Sequence, residues 1–225
     1  SLSANDRYEQ LLATDLMGHV YIQRGQLYAG LQYLESALNL GEILKIEGHK
    51  DTIEASILIY RAEYGLLNQG VEINLENKIN EYKKSSQDNY TLSNLYLELS
   101  RQYSLRGSLK KALELANQAS FIIFSYRNRR QGIFLNLRYA HIYYQQGQSL
   151  LALNFLRNAQ MEIDLNIDTI LHIKALEIEY SIKKTIDKNA QRDKSIGILS
   201  EQSGQQKALR IFQRYDHNQA HVERK

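Results

Sequence analysis

The chain has 225 residues, 43% of them hydrophobic and 24% charged, and a formal net charge of +3; it can build a sizeable core, yet no apolar run approaches the roughly 20 residues of a membrane span. Zero Cys removes disulfides, thiolate nucleophiles and Cys-based zinc sites. Zero Pro with only 12 Gly leaves little to interrupt long helices, and +3 is too small a footprint for phosphate-driven nucleic-acid binding.

The N-terminal stretch SLSANDRYEQ has no basic region leading into an apolar one, so no secretory signal is expected, and a cytoplasmic location fits the missing cysteines. A first helix is expected from about Ser3, whose hydroxyl can cap it, with Asp6 in its first turn, and it runs to about Arg24. Gly25 makes the turn. A second helix over 27–46 follows, with Leu27, Leu31, Leu34, Ala37 and Leu38 on one face, and Gly18 sits where the two must approach closely. Residues 48–51 read as the next connection, 52–68 as a third helix ended by Gly70, and 73–82 as a fourth. This pair is a degenerate copy of the first, with Glu63 where a small residue is expected and Leu75 where alanine is.

After a polar loop over 85–89 comes the clearest hairpin. Leu92, Leu95, Tyr96, Leu99 and Tyr103 recur every three or four residues, Leu109, Ala112, Leu113, Ala116 and Ala119 do the same, and Gly107 joins the halves. A two-helix hairpin cannot bury both apolar faces alone, so neighbours must stack on either side. Residues 132–161 repeat the pattern around Gly147, with Tyr139, Ala140, Tyr143, Ala152 and Ala159. Beyond Asp168, residues Ile170, Ile173, Leu176, Ile178 and Ile182 mark a long helix, and 185–193 reads as a loop. Gly197 and Gly204 repeat the spacing of Gly18 and Gly25, and Ala208, Leu209, Phe212 and Tyr215 mark a last helix.

In three of the hairpins these residues resemble the tetratricopeptide repeat (TPR): Gly18, Tyr21, Gly25, Gly30 and Ala37; Leu99, Ser100, Tyr103, Gly107, Ala112 and Ala119; Tyr139, Ala140, Tyr143, Gly147, Ala152 and Ala159. The resemblance implies an all-α fold, a right-handed TPR-like α-solenoid of antiparallel helix pairs with about ten to eleven helices. One domain over 1–225 is expected, with repeats at 5–47, 51–84, 89–125 and 130–165 and a degenerate unit over 168–222 that ends in a C-terminal capping helix. The turn glycines Gly25, Gly70, Gly107 and Gly147 lie 45, 37 and 40 residues apart, longer than the roughly 34-residue TPR unit. Such stretched repeats resemble the sensory superhelices of bacterial regulators, including MalT-like activators and peptide-sensing quorum regulators.

No HExxH, GxSxG, Walker-type or GxGxxG pattern is present, so no enzymatic activity, metal or cofactor is expected. His217 and His221 stand i,i+4 but without a third ligand, and read as a solvated helix end. Arg127, Arg129 and Arg130 form a basic cluster that reads better as a complement to a helix C-terminus than as a nucleic-acid patch.

In TPR arrays the first helix of each pair lines the inner face, which the resemblance projects onto four strips here. They are Leu12, Asp15, His19 and Ile22; Ile57, Tyr60, Tyr64 and Leu67; Asn94, Leu97, Arg101 and Ser104; and Phe134, Leu137, His141 and Tyr144. Their aromatic and apolar character with isolated polar anchors suits a peptide, Asn94 pairing with a backbone amide and Arg101 with a carboxylate. The expected binding residues are His19, Tyr60, Tyr64, Asn94, Arg101, Phe134, His141 and Tyr144. Hsp90-type adaptors place Lys and Asn on the first strip, where this chain has Asp15 and His19. The expected function is a non-enzymatic protein- or peptide-binding scaffold, the sensory or docking domain of a larger signalling or transcription-regulating protein, with self-association as a further option. A self-contained TPR adaptor or secretion-type chaperone is the alternative, with a helical-repeat RNA binder behind it.

Overall fold

The computed structural model describes residues 4–67, 70–85, 88–164, 168, 171–189 and 191. The expected fifth-unit residues Gly197, Gly204, Ala208, Leu209, Phe212 and Tyr215, the capping helix, His217 and His221, and the capping Ser3 lie outside them. The chain divides into two compact units, Ser1–Glu179 and Tyr180–Lys225. In the first the helices are α1 (Ala4–Gln23), α2 (Leu27–Leu44), α3 (Glu47–Glu63), α4 (Val71–Ser85), α5 (Asn89–Leu105), α6 (Leu109–Tyr126), α7 (Arg129–Gln145) and α8 (Ser149–Glu162). Helical backbone resumes at 171, and 180–189 are helical in the second unit. No strand occurs among the described residues, and none of their helices is long and apolar enough to cross a membrane. The rest of the expected ten to eleven helices falls outside the described residues.

The helices pack in consecutive pairs, α1 on α2, α5 on α6 and α7 on α8, with each pair resting on the next. Small residues make this possible. A Cβ at Gly18 would stand 2.7 Å from Leu34 Cδ2, and one at Gly30 would stand 2.4 Å from Ile22 Cγ1 and 2.7 Å from the Gly18 carbonyl oxygen. The third pair uses Ser100 against Ala112, both fully buried, and the Ser100 hydroxyl donates 2.7 Å to the Ala112 carbonyl, so the buried polar group is satisfied. One helix turn on, Tyr21 stacks on Tyr33 with centroids 5.0 Å apart, and Tyr143 stacks on Phe155 at 5.4 Å. The aromatic of the first helix thus closes the gap that the small residues open.

One turn recurs in every unit. Gly25, Gly65, Gly107 and Gly147 have φ of 80°, 69°, 76° and 77° and stand 40, 42 and 40 residues apart. After each, the next residue's N–H reaches the carbonyl five residues back: Gln26 to Tyr21, Leu66 to Arg61, Ser108 to Tyr103 and Gln148 to Tyr143, at 2.8–2.9 Å. These are Schellman caps, which need a left-handed residue that glycine supplies without a Cβ clash.

This corrects the second unit. Gly65, not Gly70, ends α3, so the helix covers Glu47–Glu63 instead of 52–68. It also starts earlier than expected, because Lys45 takes the left-handed conformation at φ 56° and closes α2, and the chain restarts at once. Gly48 has open space around it and lies inside the helix. The position seven before the turn glycine is therefore Leu58, not Glu63. Leu58 is partly buried against the core, and α3 packs more extensively on α5 than on α4. On α4, Leu75 is fully buried and Tyr82 is at 1% exposure. The expected loop over 185–193 is also corrected, because 185–189 are helical and the Thr185 hydroxyl bonds back to the Ser181 carbonyl at 3.1 Å.

Of the basic cluster, Arg127 is the left-handed C-cap of α6, and Arg129 bonds to the Glu162 carbonyl and pairs at 2.9 Å with Asp168, whose side chain is 1% exposed. Two of the three arginines thus have structural roles.

Candidate functional site

The first helices of successive units, α3, α5 and α7, lie side by side, and their shared face continues to the helical stretch from 171. Lys174 on that stretch bonds to Glu63 at the end of α3 and holds its ammonium 5.6 Å from the centre of the Phe134 ring. An ion pair thus joins the end of α3 to the helical stretch from 171, and the residues between them make the shared face rich in polar groups.

Towards the N-terminal end, His19 Nδ1 and the Tyr60 hydroxyl are 2.9 Å apart, and Asp15 stands between His19 Nε2 at 3.5 Å and His49 Nε2 at 3.7 Å. Burial, with Tyr90 and Glu63 adding repulsion, raises the Tyr60 phenol well above its ordinary range, so it stays protonated as a donor or acceptor. Tyr64 caps α3 and is exposed. At the start of α5, Asn94 Oδ1 accepts from Gln131 Nε2 at 2.8 Å, and Gln131, fully buried, also donates to the Tyr90 carbonyl. Asn94 is thus tied to the next unit, and the backbone-amide contact expected of it has to compete with Gln131.

Arg101 differs more from its expected role. Its Nε and Nη2 donate to Glu98 at 2.7–3.1 Å, and Nη2 donates to the Ala62 carbonyl at 2.8 Å. Gln102 donates to the same two acceptors. Glu98 is 5% exposed. This network ties α5 to the C-terminal end of α3, whose last carbonyls need external donors, and it employs Arg101 inside the protein.

Residue Arg138 on α7 is left with no ion pair or hydrogen bond among the described residues, and its Nε is sealed from solvent. Burial pushes the guanidinium down to about 10, Glu98 pulls against this, and Arg101 adds repulsion. It remains a cation at neutral pH. His141, one turn on, contacts Ser104 Oγ through Nδ1 at 3.2 Å and is pushed down to about 4 by burial, Arg138 and Arg101 in that order. Phe134 and Tyr144 are half-buried on the same face.

The projected strips are thus one position off in their middle. Leu97 and Leu137 are buried at 7% and 5% exposure, as are Ile22 and Ile57, and they belong to the core instead of lining a groove, while Ser104 is buried with its hydroxyl against His141 and Gln145 of α7. Stepping by four and then three instead gives Asn94, Glu98 and Arg101 on α5 and Phe134, Arg138 and His141 on α7. The missed residues Glu98, Gln102, Gln131 and Lys174 all make polar contacts between these helices, and Arg138 has a buried Nε without an acceptor. The i,i+3 pairing of Glu98 with Arg101 was the available signal.

The His141 shift predicts an acid-sensitive stability. A folded-state value near 4 against an ordinary 6.5 means that the unfolded chain takes up a proton first. Stability then falls as pH drops from about 6.5 and levels off below about 4, by on the order of 2–3 kcal/mol from this group. Urea denaturation at pH 7 and pH 4.5 should show a steeper loss for wild type than for His141→Asn. Equal losses would show that the imidazole is not held neutral by its surroundings.

No protein family, curated protein or solved structure matches this chain.

Proposed function

We propose that the chain is a right-handed TPR-like solenoid whose first-helix face binds a protein or peptide segment, serving as the sensory or docking part of a larger signalling or transcription-regulating protein. The observation that carries this reading is the composition of that shared face, where three adjoining first helices bring together the partly buried Tyr60, Phe134, His141 and Tyr144 with Glu98, Arg101 and Arg138. The hairpin period of about 41 residues and the small-residue crossings support the TPR-like part of the reading. Half-buried aromatic rings beside hydrogen-bonding groups suit an extended peptide, whose apolar side chains gain affinity from the rings and whose backbone needs donors and acceptors.

Selection from a displayed random-peptide library, followed by calorimetric titration of an enriched peptide, tests the reading. Tyr144→Ala should weaken binding by about 1–3 kcal/mol if that ring is a desolvated contact, with the melting temperature held within a few degrees. Enrichment of no peptide, or affinity indifferent to Tyr144→Ala and Phe134→Ala alike, would move the function off this face.

A further inference from the structure

We propose that Arg138 is the anchor of an anion site on this face and takes one carboxylate of the bound segment, an inference that rests on the peptide-binding reading for its ligand but not for the site. Proteins seldom seal a guanidinium nitrogen away from water without giving it an acceptor, because desolvation of the charge goes uncompensated. The nearby carboxylates do not fill the role. Glu98 accepts from Nε and Nη2 of Arg101 and from Gln102, and Glu63 receives Lys174.

Arg101 and Lys174 are thus each matched to a carboxylate and Arg138 is not, and His141 adds no charge at neutral pH because burial and the two arginines keep it unprotonated. The unmatched charge of Arg138 is one that a monoanion neutralises. A carboxylate also matches the planar fork of arginine with two parallel hydrogen bonds. Arg138 keeps a solvent-accessible edge, so the site can be reached without unfolding. The neutral His141 is a second hydrogen-bonding group beside it, and an arriving anion would relieve the repulsion that holds its proton off.

The site can be tested without knowing the peptide. Wild type and Arg138→Gln are titrated with sodium acetate, with sodium chloride matching ionic strength, while the melting temperature and the His141 imidazole resonances are followed. Acetate should raise the melting temperature and the His141 titration midpoint of wild type and leave Arg138→Gln unmoved. Arg138→Gln and Arg138→Met should melt at or above wild type without acetate, because each removes an uncompensated charge. Equal responses to acetate in wild type and variant, or collapse of both variants, would overturn the proposal, and a stronger response to phosphate would overturn the choice of a monocarboxylate. A peptide from the selection then separates the sources. Amidating its C-terminus and replacing its acidic side chains one at a time should reveal a single carboxylate whose loss costs wild type about tenfold or more and costs Arg138→Gln nothing. Tight binding with no carboxylate coupled to Arg138 would remove the anchor while leaving the peptide reading standing; failure of the selection with a positive acetate response would do the reverse.

Discussion

Ala112→Asp should lower stability by about 4 kcal/mol, more than a third of what many domains possess. Ala112 has no exposed surface, as do Ala116 and Ala119 on the same face of α6, and its carbonyl receives the Ser100 hydroxyl at 2.7 Å. A carboxylate at that crossing has no cation to pair with and no space, so either the charge is buried unpaired or α5 and α6 separate. For a chain of this length the expected fall in melting temperature is roughly 10–15 °C. Ala119→Asp should behave alike. Gln118→Asp, at an exposed position of α6, is the control and should shift stability by less than about 0.5 kcal/mol. Wild-type melting of Ala112→Asp would mean that the α5–α6 register is wrong.

Glu98→Ala should cost about 3–5 kcal/mol for a different reason. The carboxylate is 5% exposed and gathers Arg101 and Gln102, which in turn hold the Ala62 carbonyl at the end of α3. Removing it strands Arg101, deprives Arg138 of the charge that opposes its desolvation, and loosens the joint between the second and third units. A charge effect can be separated from a packing effect. If stranded charge is the cause, adding Arg101→Met to Glu98→Ala should restore part of the loss, whereas a packing defect would deepen. Chemical denaturation of the two single variants and the double variant reads this directly. Arg101→Glu, for the same reason, should destabilise the fold and is a poor probe of binding.

The repeats were legible because they rest on local chemistry. Gly107 and Gly147 announce the Schellman turns, and Ala112, Ala116, Ala119, Ala152 and Ala159 mark the crossings by size alone, all of them fully buried. The second unit misled because it carries two glycines at positive φ, Gly65 and Gly70, and helical periodicity fits a break at either one. The cap hydrogen bonds decide between them, with Leu66 reaching the Arg61 carbonyl at 2.8 Å across Gly65. The polar face was harder for a geometric reason. Along a helix both i+3 and i+4 stay on one face, and a projection that favours apolar positions chooses Leu97 and Leu137, which the core claims. The charged alternatives Glu98 and Arg138 lie one residue further on, and nothing local shows that Lys174, 111 residues from Glu63, reaches the same face.

Hydrogen–deuterium exchange on the full chain, with and without a selected acidic peptide, tests most directly whether the first-helix face is the binding surface. The account predicts slowed exchange concentrated in α5 and α7, extending to the end of α3, with α6 and α8 unchanged. Protection confined to α6 and α8, whose Phe121, Phe124, Leu150 and Met161 are exposed on the other side, would contradict it.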